Sequence, residues 1–307
     1  MGGKVLITGI TGFLGSDIAA EFLSEGWEVI GLKRQNSKLW RCDEFVDKIT
    51  LIDIDSSKDY KCEIINNRPE IIVHCAWGGV AAGDRIQYKS QVENLELLID
   101  ILEIAKEIKI SKFIGLGSQA EYGTFSGKIN EEYPSEPTTA YGVAKLMALN
   151  LVKGFCNENG INWYWLRLFP IFGEKEEENW LIPSVIKKIK QGIQMDLTPG
   201  LQRYSYIYVK DLSNCIYNIV SIELSSSTSG IYNISGEGAI TLRDLVEKIK
   251  NKININARLN FGALAYRPYQ SMHMEGDMRK FNENISKISY SNFDESLNKT
   301  ILYYLKK

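Results

Sequence analysis

The chain has 307 residues, 36 Lys and Arg against 38 Asp and Glu for a formal net charge of −2, and 44% hydrophobic content. That balance is ordinary for a globular protein and argues against disorder and against a basic field for nucleic acid or anionic lipid, so any phosphate has to be bound locally. The length allows one large core or two modest ones. The cysteines Cys42, Cys62, Cys75, Cys156 and Cys215 lack the spacing of a disulfide framework or a zinc site, and with only His74 and His273 no histidine-rich metal centre is expected. Met1 leads directly into an apolar strand without the pattern of a signal peptide, and no run approaches the ~20 apolar residues of a membrane span. The expectation is a soluble cytoplasmic protein.

Short, near-continuously apolar runs at 5–8, 28–32, 49–53, 71–75 and 112–116 predict strands of a parallel sheet covered on both faces. Helical spacing recurs between them at 13–24, 62–67 and 90–109, and a further helix at 140–158 leads into a strand at 163–168. This alternation predicts an α/β fold, a Rossmann-type doubly wound parallel sheet over 1–172. From 173 the texture changes to an acidic stretch at 174–178, a helix at 181–191 and strand-like pieces around Tyr206 and Ile231. These predict a smaller C-terminal substrate-binding lobe over 173–307, with segments of 200–240 packing back on the first domain. The acidic stretch reads as a solvated loop and the serine tract at 225–229 as a surface loop.

The turn Thr8-Gly9-Ile10-Thr11-Gly12-Phe13-Leu14-Gly15 follows the first strand and opens the first helix, where the pyrophosphate of a dinucleotide needs bare backbone. Gly9 suits the tight turn, Gly12 the close approach to phosphate, and Gly15 the packing of helix against strand. At the end of the second strand an NAD site places an Asp or Glu on the adenosine ribose, whereas this chain has Lys33-Arg34 and then Ser37. A carboxylate repels a 2′-phosphate and Arg34 can bond one, so NADP(H) is preferred over two plain surface cations. Asp53 and Ile54, ending the third strand, are placed to flank the adenine, and a simple strand terminus accounts for them as well.

Tyr141 and Lys145, four apart at the start of a helix, project a phenol and an ammonium from one face. Tyr206 with Lys210 and Tyr303 with Lys307 share that spacing, but the first lies in an alternating, strand-like stretch and the second at the chain end. Ser118 ends the fifth strand, on the edge where doubly wound sheets bind ligands, and is placed to hold a substrate oxygen while Tyr141 transfers a proton. A phenol of pKa ~10 is a poor base at neutral pH, and the Lys145 ammonium about 4 Å away is expected to bring it into range.

With these residues the chain resembles the extended short-chain dehydrogenase/reductase family, whose members act mainly on nucleotide-diphosphate sugars. Similar landmarks are His74-Cys-Ala-Trp77, Asn94, Leu166-Arg-Leu-Phe-Pro-Ile-Phe-Gly173, and Gly200-Leu-Gln-Arg203 leading to Val209-Lys-Asp211. The resemblance implies that Ser118, Tyr141 and Lys145 are catalytic. It places Ala76 and Trp77 along the cofactor, Pro170 at the nicotinamide amide, and Ser118, Gln119, Asn179, Arg203 and Arg267 on substrate, the two arginines clamping the diphosphate. His74 looks like a packing residue. Family members that dehydrate sugars carry Asp-Glu directly after the Ser or Thr; Gln119 and Ala120 stand there, which disfavours dehydration. A Cys–His epimerisation pair is absent as well.

The leading expectation is an NADPH-dependent reductase of a 4-keto nucleotide sugar, in polysaccharide biosynthesis. A nucleotide-sugar 4-epimerase or 4-dehydrogenase is the alternative, and a non-catalytic NADP(H) sensor a third. A homodimer is expected through the helices at 90–109 and 140–158, with Leu95, Leu98, Ile99, Leu102, Leu146 and Leu149 supplying apolar surface, although burial within one subunit explains many of them equally.

Overall fold

A computed structural model of the chain describes residues 2–55, 59–81, 83–222, 228–268 and 270–307. Residues 225–227 of the serine tract lie outside these. Strands β1 (Lys4–Thr8), β2 (Glu28–Lys33), β3 (Thr50–Asp53), β4 (Ile71–His74) and β5 (Lys112–Ser118) join the Asn162–Leu168 and Gly230–Ile234 strands in one seven-stranded sheet. All its pairings are parallel, in the order Gly230–Ile234, Asn162–Leu168, β5, β4, β1, β2, β3. Both faces are covered: Val5 and Ile7 of β1 pack into one cluster with Ile18, Phe22 and Ile216, while Leu6 packs into the other with Leu98, Leu102 and Val152. Two-sided burial is why these strands are apolar at successive positions.

The strand at Ile231 belongs to this sheet, pairing with Asn162–Leu168 through contacts such as Ile231 opposite Trp165. The chain thus leaves the sheet after Leu168 and returns at Gly230. The helix Val209–Ser221 that precedes the return packs on helix α1 (Phe13–Ser24), where Lys210 and Ser213 both bond Asp17. Apart from the sheet, helices Leu181–Lys190, Leu242–Ile253 and Phe293–Lys306 pack through Val185, Ile186, Leu245, Ile249, Leu297 and Ile301 into a separate cluster.

Helix Ala140–Asn159 starts where the Thr139 hydroxyl accepts from Gly142 N at 3.1 Å and stops at Gly160, whose φ is +68°. Of the six residues expected at a subunit interface, Leu95, Leu98, Leu102 and Leu149 are buried within the chain itself and Leu146 is half-buried. Ile99, Met147 and Leu151 are the exposed apolar residues of helices Asn94–Ile108 and Ala140–Asn159.

The acidic stretch departs from its expected role as a solvated loop. Arg41, buried, donates from Nε to Lys175 O at 2.8 Å, from Nη2 to Glu177 Oε1 at 2.6 Å and from Nη1 to Thr11 O at 3.4 Å. One guanidinium thus straps the acidic stretch to the glycine turn. Within the stretch Glu176 is buried with Oε2 lacking a hydrogen-bond partner, and burial pushes its carboxyl up to about 8. Because the folded protein keeps a proton there that the unfolded chain releases near 4.5, this carboxyl removes stability as pH rises from about 4.5 to about 8. Glu176→Gln should stabilise the protein by on the order of 2 kcal/mol above pH 8 and leave stability unchanged well below 4.5, measured by urea unfolding across that range.

Candidate active site

The carboxyl ends of β1, β4 and β5, adjacent in the sheet, bring their following residues to one edge. The chain moves outward in one direction from β1 through β2 and β3 and in the other through β4 and β5, so this edge is the topological switch point where doubly wound sheets bind ligands.

The glycine turn has the form a pyrophosphate needs. Gly9 has φ +66°, and a Cβ there would meet Ala76 Cα at 2.8 Å; a Cβ on Gly15 would lie 2.3 Å from Gly9 O. Only glycine fits either place. A Cβ on Gly12 would meet nothing nearer than Gly9 O at 3.2 Å, and Gly12 begins α1 without any side-chain cap. The first N–H groups of the helix, at Phe13, Leu14 and Gly15, are consequently open to an anion beside the half-buried Thr11. These residues fit a dinucleotide's phosphates.

At the end of β2, Lys33 forms an ion pair with Asp53, so the two are partners rather than separate ligand contacts. Arg34 remains exposed and lines a cavity of about 330 Å³ with Asn36, Ser37 and Asp55. Ile54 is half-buried beside it, its N–H bonded to Lys33 O at 2.9 Å.

On the β4 side, His74 is buried, its Nδ1 is 3.1 Å from Thr8 Oγ1, and burial drives it down to about 3. It is a neutral packing residue. Thr8 Oγ1 also accepts from Ala76 N at 3.1 Å, and Trp77 Nε1 donates to Gln91 Oε1 at 2.9 Å, which fixes the strand exit. Asn94 holds the next residue by accepting from Gly78 N.

The Ser118 side chain lies within interaction range of the Tyr141 phenol, with Gln119 half-buried next to it. Burial raises the Tyr141 phenol, opposed by the Arg85 charge and by Ser118. Lys145 Nζ lies 5.9 Å from the centre of the Tyr141 ring, 3.7 Å above the Trp77 ring, and donates to Leu116 O at 2.7 Å. Burial lowers the Lys145 ammonium to about 7, with Glu121 and Cys75 opposing. The ammonium expected to bring the phenol into range is thus also engaged by a carbonyl of β5 and by the Trp77 face. Arg85 is the nearer cation, its guanidinium carbon 4.6 Å from the Tyr141 ring centre.

Glu121 fixes Ser118. It is fully buried and accepts from Ser118 N at 2.8 Å, Trp165 Nε1 at 2.9 Å and Arg167 Nε at 2.8 Å. Ser118 in return accepts from Ala120 N, closing a capping box. Pro170 is half-buried past the Asn162–Leu168 strand, where its carbonyl accepts from Ile207 N at 2.8 Å. Asn179 is exposed next to Trp180, which begins helix Leu181–Lys190 and stands 5.3 Å from the Arg85 guanidinium.

Arg203 and Arg267 are both exposed. Arg203 Nη2 donates to Ala239 O at 3.2 Å. The neighbour of Arg203, Tyr204, points to the opposite face of the Arg203–Tyr204 strand, where the charge of Arg267 reaches its phenol. Tyr204 also donates to Ser271 O at 2.9 Å and accepts from Gln270 Nε2. Sequence reasoning thus missed Arg85, Glu121, Arg41 and Tyr204. The one available signal was strand parity at 203 and 204, and a strand of two residues is too short to display it.

A family profile described as "NAD dependent epimerase/dehydratase family" matches residues 5–235. A CDP-abequose synthase of Salmonella muenchen is 27% identical over 88% of this chain and 87% of its own length. A dTDP-6-deoxy-L-talose 4-dehydrogenase (NAD(+)) of Aggregatibacter actinomycetemcomitans is 26% identical over 89% of this chain and 99% of its own. Among solved structures, a UDP-N-acetylglucosamine 4-epimerase from Methanobrevibacter ruminantium M1 superposes with a TM-score of 0.87 at 22% identity, covering 99% of both chains, a likeness of fold. The profile spans the glycine turn, Ser118, Tyr141, Lys145 and the return of the sheet at Gly230–Ile234, and the chain belongs to the NAD dependent epimerase/dehydratase family.

Proposed function

We propose that the protein is an NADPH-dependent reductase of a 4-keto nucleotide-diphosphate sugar. The observation that carries this reading is the placement of the Tyr141 phenol within interaction range of Ser118 at the carboxyl end of β5, followed by Gln119 and Ala120, neither of which is an acid. A bound nicotinamide would supply the hydride to the ketone carbon. Ser118 donates a hydrogen bond to the keto oxygen and Tyr141 delivers the proton to it. Lys145, titrating near 7, is suited to return a proton to the phenol after each turnover. A relative named as a dTDP-6-deoxy-L-talose 4-dehydrogenase (NAD(+)) supports redox chemistry at position 4 of a nucleotide-linked sugar.

For the cofactor, pairing of Lys33 with Asp53 leaves Arg34, Asn36 and Ser37 free to hold a 2′-phosphate. Asp55 lines the same cavity and favours the alternative, NAD, by offering a carboxylate to a ribose hydroxyl. A 4-epimerase is the second reading of the reaction, and relatives named as UDP-glucose 4-epimerases favour it. A non-catalytic sensor would need neither the pairing of Ser118 with Tyr141 nor the buried Lys145 one helical turn on. The setting for a reductase of this class is polysaccharide biosynthesis in the cytoplasm. Its assembly is a homodimer on the exposed apolar face of Ile99, Met147 and Leu151.

Tyr141→Phe should lower kcat by about 10²–10⁴-fold with NADPH and a panel of 4-keto sugar nucleotides, followed at the nicotinamide absorbance. Turnover at the wild-type rate overturns the assignment, and conversion of a 4-hydroxy sugar nucleotide into its C4 epimer with no net change in NADPH favours the epimerase. Arg34→Ala should shift the ratio of NADP to NAD affinity by about tenfold toward NAD in equilibrium binding, and an unaltered ratio rejects the 2′-phosphate site. Light scattering should give twice the chain mass for the wild type and the single chain mass for Met147→Glu; a wild-type monomer rejects the dimer.

A further inference from the structure

The Tyr141 phenol is faced by charged and titratable groups from several elements. Lys145 comes from its own helix, Glu121 from the turn after β5, His74 and Cys75 from the end of β4 behind the lysine, and Arg85 from the short turn Asp84–Ile86 between β4 and helix Asn94–Ile108. Glu121 is neutralised in place by Arg167 at 2.8 Å. His74 is held neutral and the Cys75 thiol is pushed up to about 12 by burial, so neither contributes charge at neutral pH. Lys145 is committed to Leu116 O and to the Trp77 face.

Arg85 differs from all of these. Its Nε is fixed by donation to Val80 O at 2.8 Å, and its guanidinium lies between two aromatic rings, 4.6 Å from the centre of Tyr141 and 5.3 Å from that of Trp180. A guanidinium stays charged at every pH at which the fold persists and stacks on aromatic faces in a way an ammonium does not.

We propose that Arg85 is a positioning residue for proton transfer, the permanent cation that the loop after β4 lays on the Tyr141 ring to hold the phenol within reach of ionisation. The idea rests on the reading of Tyr141 as the proton donor and adds the group that tunes it. A fixed charge at this distance, half-exposed, favours the phenolate by about one pH unit, or roughly tenfold in ionised fraction. Lys145 then serves as the titrating partner and Arg85 as the constant one.

The test uses the protein free of cofactor and sugar nucleotide. Tyrosinate absorbance is recorded at a fixed pH of about 9, below the range in which a lysine loses its charge and with circular dichroism showing the fold intact, and subtracting the matching Tyr141→Phe variant isolates this one phenol. Arg85→Gln should reduce the ionised fraction of Tyr141 by roughly tenfold, and Arg85→Lys, which keeps the charge, should restore most of it. An unchanged fraction in Arg85→Gln overturns the proposal, as does an equal loss in both variants, which marks a packing effect. Because no turnover is involved, failure of the reductase reading leaves this measurement decisive, and failure here leaves the reductase assays standing.

Discussion

The buried carboxylate of Glu121 is the contact on which the site's geometry depends. It lies three residues beyond Ser118 and takes hydrogen bonds from the Ser118 backbone and from two side chains of the neighbouring Asn162–Leu168 strand, Trp165 and Arg167. Breaking such a buried pair leaves an uncompensated charge, at a cost of about 3–5 kcal/mol, so the end of β5 is held to the next strand by more than its ladder. The glycines of β5 make room for this arrangement: a Cβ on Gly117 would meet Trp165 Nε1 at 2.2 Å and Glu121 Oε1 at 2.5 Å. Ser118 is thereby set on a rigid strand, with the Tyr141 phenol in interaction range beside it.

Around this fixed point the structure separates roles that a Tyr–Lys spacing merges. Lys145 sits deep, bonded to a carbonyl of β5 and roofed by Trp77, and its low proton affinity follows from that burial. Arg85 arrives from the short turn between β4 and helix Asn94–Ile108. The strap made by Arg41 joins the glycine turn to the acidic stretch, so residues on either side of the cleft are tied by charge as well as by packing.

What the sequence disclosed was whatever repeats locally. Apolar runs buried on both faces located the strands of the main sheet, helical spacing located α1 over Phe13–Ser24 and the helix carrying Tyr141, and the glycine turn announced itself by the steric demands at Gly9 and Gly15. Contacts between distant segments left no such trace. Arg85 reaches Tyr141 from far away in sequence, with nothing in its own turn to mark it. Arg41 and Glu177 are brought together only by the fold, so the acidic stretch looked like a solvated loop. The expectation that segments of 200–240 pack back on the first domain did not extend to the strand that Gly230–Ile234 joins, because five residues cannot reveal which sheet they enter.

Glu121 also limits the proton inventory at this edge of the sheet. Its two oxygens are occupied by three N–H groups, and its side chain is sealed from solvent. The carboxylate three residues past Ser118 is thus architecture, its oxygens shared among three donors and none of its surface open to a ligand. The titratable side chains left at this edge are the Tyr141 phenol and the Lys145 ammonium. In the proposed reductase the carboxylate contributes rigidity to the strand end, and any acid or base comes from those two side chains.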